Sequence, residues 1–350
     1  MKHVNEMRCI CAVLLLAMLL SGCASKGADD SEPKGKSYFT YFDTVTYVFS
    51  YAGDSTERFD DRSAEVSALL SNYHKYFDIY HEYADINNLC TVNKNAGGDP
   101  IEVDPLLIEF LLYARELCEE TDGAMDITLG AVLSIWHEHR EAASEDPANA
   151  SVPDKAELEE AAKHTGFELL EIDEANSTVR ITDPKASLDV GALGKGYATE
   201  MAAMMLQADE AYGYVLNVGG NIRTVGTKPD GTKWSTGIRN PKSDATDFAL
   251  RIEVADTACV TSGVYERFFT VDGVRYHHII DPDTLFPASY YDSVTVLAKS
   301  SALADALSTA LFCLPYDESR ALAEKMGVDA VWIFPDGTVE YTEAVASMII

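Results

Sequence analysis

Asp-Gly pairs fall between short β-rich runs at three places, 230/231, 272/273 and 336/337. A two-residue Asp-Gly loop takes positive φ at both central positions, which glycine adopts freely and aspartate tolerates, and it returns the chain antiparallel to itself. A parallel pair would instead need a crossover of about a dozen residues or more. The runs "TVTYVFSY", "VRIT", "YVLNV", "ALRIEVA", "FFTV", "YHHII", "SVTVLA" and "AVWIF" read as the strands. Helix-period segments lie at about 58–76, 104–120, 154–164, 195–206, 301–313 and 316–326, with Asp104 as an N-cap and Pro105 at the first helical position. Strands joined by hairpins and interrupted by helices give an α+β fold with largely antiparallel sheets, not a doubly wound parallel one. Residues 137–153, "HEHREAASEDPANASVP", read as an exposed excursion that adds nothing to the core.

The chain starts with Lys2 and Arg8, an apolar run from Cys9 to Leu20, and then Leu20-Ser21-Gly22-Cys23. The apolar run is too short to span a bilayer, so residues 1–22 are expected to be a secretory signal peptide. Leu-Ser-Gly-Cys resembles the lipobox of bacterial lipoproteins, which implies lipidation at Cys23 and a membrane-anchored lipoprotein facing outside the cytoplasm. Residues 23–37 then form the lipidated cysteine and a flexible tether without large apolar side chains, and 38–345 the folded domain. Asp and Glu outnumber Lys and Arg by 57 to 27, for a net charge of −30, which argues against nucleic acid as a partner. Cys90, Cys118, Cys259 and Cys313 lack CxxC spacing, so they are expected as thiols and not as a zinc site.

Five clusters can carry chemistry. "SLDVGALGKGYATEMAA" puts Asp189, Gly191, Gly194, Lys195 and Gly196 at a strand-to-helix junction, where backbone amides can meet an anion or simply pack tightly. "LNVGGNIRTVG" puts Asn217, Gly219, Gly220 and Asn221 after an apolar strand, open to a ligand or forming an ordinary turn. "TDGAMDITLG" holds Thr121, Asp122, Gly123 and Asp126; a helix would bring the two carboxylates to one face, and a turn would separate them. "ADALSTALF" sets Asp305 and Thr309 one turn apart on a helix, hard oxygens suited to Mg²⁺ if other oxygens join them. The alternative there is a threonine bonded to its own helix backbone. Last, "YHHIIDPDTLFPA" has His277 and His278 on opposite faces of a strand and Asp281 three residues on, so His278 can be a base, a phosphate donor or a structural bystander.

In this order the motifs "FDTVTYV", "TDGAMDIT", "LDVGALGKGYA", "LNVGGNI", "SGVYERFF", "YHHIIDPDTLFPA" and "ADALSTALF" resemble the ApbE family, the FAD:protein FMN transferases, from about Tyr38 to Glu340. The resemblance implies a two-lobed α+β domain with FAD in a crevice between the lobes and Mg²⁺ at the pyrophosphate. It implies metal ligation by the carbonyl of Gly194 and by Asp305 and Thr309. It implies FAD contacts from Thr44, Thr121, Asp122, Gly123, Asp126, Lys195, Asn217, Gly219, Gly220, Asn221, Ser262 and His278. His278 is then the expected catalytic base, with Asp281 competing. The implied partner is an acceptor protein with an FMN-binding domain carrying a target threonine, such as a subunit of a membrane redox complex. Asp283, Leu285 and Val264 depart from the family pattern, which has a basic residue, a glycine and a polar residue there. Rival readings are a metal-dependent FAD pyrophosphatase, which uses water in place of threonine, and an FAD-binding lipoprotein without activity. A solute-binding lipoprotein would need two parallel α/β lobes, against the hairpin pattern.

Overall fold

A computed structural model describes residues 32–243 and 247–350. The signal peptide, Cys23 and the tether as far as residue 31 lie outside the described residues. The strands are β1 (Lys34–Tyr41), β2 (Thr44–Ser50), β3 (Ile101–Glu102), β4 (Leu170–Asp173), β5 (Thr178–Ile181), β6 (Tyr214–Val218), β7 (Asn221–Val225), β8 (Trp234–Arg239), β9 (Phe248–Val254), β10 (Ala258–Gly263), β11 (Phe268–Val271), β12 (Val274–His277), β13 (Ser293–Ala298), β14 (Asp329–Ile333) and β15 (Val339–Tyr341). The helices are α1 (Thr56–Phe77), α2 (Leu89–Lys94), α3 (Pro105–Glu120), α4 (Gly130–Glu145), α5 (Lys155–Ala161), α6 (Gly194–Ala208), α7 (Ser301–Cys313), α8 (Tyr316–Lys325) and α9 (Glu343–Ala346).

Eight strands form one sheet in the order β1-β2-β6-β7-β10-β13-β14-β15. Every ladder in it is antiparallel, as the hairpin signals required. Smaller antiparallel sheets are β3-β5-β4, β8-β9 and β11-β12. Asp272-Gly273 and Asp336-Gly337 close the β11–β12 and β14–β15 hairpins. Asp230-Gly231 is also a turn, but it joins β7 to β8, which belong to different sheets. The dipeptide fixes a local reversal of the chain; ladder membership is decided by which apolar faces meet.

The middle of the large sheet is covered on both faces. Along β13 and β14, Val294, Val296, Ala298, Ala330 and Trp332 enter the main core with α6 and α7. Their alternates Leu297, Val331 and Ile333 enter a second core with Trp234, Ile238, Ile252, Val254 and Val345. Successive side chains point to opposite faces, so a strand covered twice reads as the unbroken apolar run "AVWIF". The helix α7 lies against β10, β13 and α6, and α6 also packs on α1. This stack positions the site.

Three expectations need correction. Residues 34–37, read as tether, are the first half of β1 and pair with 47–50 of β2. Residues 137–145 continue α4, which buries Val132, Trp136 and Ala143 in a third core with Leu158, Phe269, Ile280 and Leu285; Ala150 and Val152 pack against it. The reading of 137–153 as an excursion failed because a helix that buries one face looks polar over the rest of its turns. The run "YHHII" stops being a strand at His277, where Ile279 and Ile280 turn into the core. Of the two readings left open for "TDGAMDITLG", the turn is the one found: α3 ends at Glu120 and the Asp122-Gly123 turn leads on to α4 at Gly130. The four thiols of the folded part are free, Cys118 half-buried and the others buried.

Candidate functional site

At the contact between α6 and α7 the Gly196 amide donates to Asp305 Oδ2 at 2.7 Å. Asp305 is 5% exposed and makes no salt bridge among the described residues. Burial pushes its carboxyl up, and Lys195, the Gly196 amide and Asn221 pull it part of the way back. Asn221 is also buried, and its Nδ2 has no hydrogen-bond partner within normal geometry. Its amide therefore favours the charged carboxylate without closing a bond to it. Ser300 caps α7, its side chain accepting from the Leu303 amide, and the Ser301 amide donates to Glu200 of α6 at 2.6 Å. These contacts lock the start of α7 against α6.

One turn on, Thr309 Oγ1 stands 3.4 Å from Ser262 Oγ of β10, which is 2.8 Å from Ser308 Oγ. It is Ser308, not Thr309, that donates back to the helix at Asp305 O. The Thr309 hydroxyl therefore faces the sheet side of the site together with Ser262. Gly194 opens α6, its amide donating to Val190 O. Lys195 is fixed at 3.0 Å on Gly191 O.

The tip of the β6–β7 hairpin is Gly219-Gly220, with φ of 59° and 96°. Positive φ at both loop residues is the two-residue turn that matches strand twist. Glycine is needed twice over at 219, because a Cβ there would lie 2.5 Å from Thr44 Oγ1. Asn217 Oδ1 accepts from the Gly220 amide, so that side chain shapes the tip. Thr44, Asn217, Gly219, Gly220 and Asn221 are thus one feature, with Asn221 leading back to Asp305.

The segment 121–126 reaches the same region through backbone: the Asp189 amide donates to Ile127 O at 2.8 Å, and Leu129 bridges Ser187. Thr121 is buried, its hydroxyl donating to Leu117 O and accepting from the Met125 amide, so it serves the chain and not a ligand. Asp122 is exposed at φ 51° and Gly123 sits at φ 82° with open space where a Cβ would point. Asp126 Oδ1 accepts from the Thr128 amide at 2.7 Å, and burial pushes its carboxyl up despite that bond.

The paired histidines divide their roles. His277 is buried, Nε2 donating to Ala288 O and Nδ1 accepting from the Ile279 amide, a structural histidine held neutral by burial. His278 is partly buried, and its Nδ1 lies 3.2 Å from Arg267 O. A carbonyl can only accept, so Nδ1 carries the proton and Nε2 keeps its lone pair. Burial, then the charges of Arg267 and Lys195, push His278 down to about 3. It stands as a neutral base. Asp281 is buried, and its Oδ1 accepts from the Asp283 and Thr284 amides. Its neighbour Ile280 touches Cys313, eight residues past Asp305 on α7 and so about 12 Å along the helix. The competing base is a turn cap at the far end. Leu285, where glycine was expected, holds φ of 61°, the left-handed region that favours glycine.

Sequence reading missed Arg140 and Arg267, whose guanidinium charges act on the His278 imidazole, and Tyr80, which packs at a tilt on His137 with ring centroids 5.2 Å apart. For Arg140 a signal existed: Leu129, Val132 and Trp136 recur at helical spacing and carry the helix into it.

The α+β fold, an antiparallel sheet backed by helices, is one the chain shares with solved flavin transferase structures. The chain matches the ApbE family over residues 42–332 and belongs to it. It is 36% identical over 280 residues to the FAD:protein FMN transferase of Treponema pallidum, covering 76% of this chain and 75% of that one. It is 30% identical over 330 residues to the FAD:protein FMN transferase of Vibrio cholerae, covering 93% and 94%. Among solved structures it resembles the ApbE protein of Thermotoga maritima, with a TM-score of 0.79 at 29% identity, covering 91% of this chain and 99% of that one. The flavin transferase ApbE of Vibrio cholerae gives a TM-score of 0.75 at 28% identity, with the same coverage.

Proposed function

We propose that this chain transfers the FMN half of FAD to a threonine hydroxyl of an acceptor protein, releasing AMP. The observation that carries it is the Gly196 amide bonded to the buried carboxylate of Asp305 next to Lys195, together with His278, whose Nδ1 is committed to Arg267 O and whose Nε2 keeps its lone pair. The threonine Oγ attacks the flavin-side phosphorus, its proton passes to His278 Nε2, and the bond to the AMP phosphate breaks with its electron pair leaving on AMP. Lys195 orients the phosphates. The turn Asn217–Asn221, Thr44, Asp122, Gly123 and Asp126 line the FAD.

A divalent cation fits the oxygens present. Asp305 is a buried carboxylate without a cationic partner among the described residues, Thr309 Oγ1 is not tied to its helix, and the Gly194 carbonyl lies at the adjoining helix start. No cluster of three or more His, Cys, Asp or Glu suited to a metal occurs among the described residues, so phosphate and water oxygens would complete the set, as suits Mg²⁺. Bound there, it would neutralise charge on the pyrophosphate. Lipidation at Cys23 would hold the domain on a membrane outside the cytoplasm, facing acceptors such as membrane redox subunits.

The test is to incubate the chain from residue 24 onward with FAD, Mg²⁺ and an FMN-acceptor domain. A gain of one FMN mass with AMP release is expected. Free FMN and AMP with unmodified acceptor would mean a pyrophosphatase, and intact bound FAD a storage protein.

A further inference from the structure

Helix α4 lies on the β11–β12 hairpin, with the Trp136 ring centroid 6.3 Å from Phe269 and 6.0 Å from Tyr276, and Trp136 Nε1 donating to Leu285 O. Arg140 is one helical turn past Trp136 and on the same face, and Arg267 lies in the bend just before β11, whose Phe269 packs on Trp136. The contact that seats Trp136 therefore also brings Arg140 toward the bend that carries Arg267, close enough for each charge to act on the other's surroundings. Burial and then the charge of Arg267 push Arg140 below its ordinary value. Arg140 meets His137 Nδ1, and the Arg267 carbonyl is taken by the His278 amide and ring. Among the described residues neither guanidinium forms a salt bridge. The acidic groups nearby act only from a distance, since Glu141 bridges His137 and the Asp189 side chain accepts from the Gly191 amide.

Two neighbouring arginines that form no salt bridge among the described residues are unusual in a chain with 57 acidic side chains against 27 basic ones. Like charges brought together cost free energy that an anion between them would recover. The transferase reading decides which anion: the acceptor hydroxyl hands its proton to His278 and so approaches on the His278 side. The Arg267 carbonyl accepts from the His278 amide and ring, and the charges of Arg267 and Arg140 act on the same imidazole, so both arginines adjoin that approach.

We propose that Arg140 and Arg267 form a docking site for carboxylates of the acceptor protein close to its target threonine. The proposal rests on the transferase reading. The pair selects acceptors by charge and aims the hydroxyl at His278 Nε2, while FAD and its phosphates are held elsewhere.

The test compares wild type with Arg267→Gln and with Arg140→Gln/Arg267→Gln. Each is assayed with an acceptor domain carrying aspartates next to the threonine and with the same domain carrying asparagines there. Arg267 is exposed, so the single variant reports even if the half-buried Arg140 proves needed for folding. The expected result is that KM for the acidic acceptor rises about ten-fold in the double variant and less in the single. KM for FAD stays within about two-fold of wild type, and the neutral acceptor responds little to either substitution. A parallel loss for both acceptors that follows KM for FAD would overturn the proposal and give the arginines to the FAD phosphates; an unchanged KM for the acidic acceptor would overturn it outright. Wild type that hydrolyses FAD without labelling either acceptor would instead overturn the transferase reading, and the acceptor site with it.

Discussion

The Gly196 amide and the Asp305 carboxylate meet at 2.7 Å across the α6–α7 contact, at a separation that leaves no room for a side chain. A Cβ on Gly196 would lie 2.3 Å from Asp305 Cβ and 2.4 Å from Ser301 O. The nearer atoms belong to backbone and to a stem that cannot swing away. Gly196→Ala is therefore expected to push the helices apart, at a cost of about 1–3 kcal/mol, and to displace the carboxylate. Thermal melting should show a lower Tm, and turnover should fall by more than that loss of folded protein explains.

Asp305→Asn separates charge from packing. An asparagine keeps the volume, and its Oδ1 can still accept from the Gly196 amide. Because burial pushes the Asp305 carboxyl up, ionising it in the folded chain costs stability, and that cost grows as pH rises from the ordinary carboxylate value through the folded one. The variant should melt at the same temperature or higher, and lose FMN transfer by about 100-fold or more. Unchanged turnover would remove the metal site from this account.

Chelation gives the matching result in the wild-type protein. EDTA is expected to stop AMP release, and excess Mg²⁺ to restore it, without a change in the far-UV circular dichroism of the apo chain.

The depressed value of His278 makes a signed prediction about pH. With the folded value near 3 and an ordinary histidine near 6.5, the unfolded chain binds more protons between those limits. Stability from this residue is present above about 6.5 and is lost as pH falls toward 3. His278→Gln should flatten that part of the acid unfolding curve, beyond what the structural His277 retains, and should slow transfer by about 100- to 10,000-fold. A ring titrating near 6.5 by NMR in the folded apo chain would contradict it.

What could be read from the sequence was local. Asp-Gly pairs mark two true hairpins, and the i, i+4 spacing of Asp305 and Thr309 survives because α7 is regular. Pairs brought together by folding were not legible: Gly196 with Asp305, or Arg140 with Arg267, more than 100 residues apart in each case. Asp281 stood as a competing base to His278, since a carboxylate three residues from a histidine carries no sign that neighbouring amides will claim it. The polar stretch after Trp136 concealed a helix because, past Trp136, Ala143 is the one residue of α4 that is buried.

The most direct test of the central claim is the mass of an FMN-acceptor domain after incubation with this chain, FAD and Mg²⁺, read together with released nucleotide. The account predicts an acceptor heavier by one FMN, one AMP per label, and no label when its target threonine is replaced by alanine. An unmodified acceptor beside free FMN and AMP would contradict it.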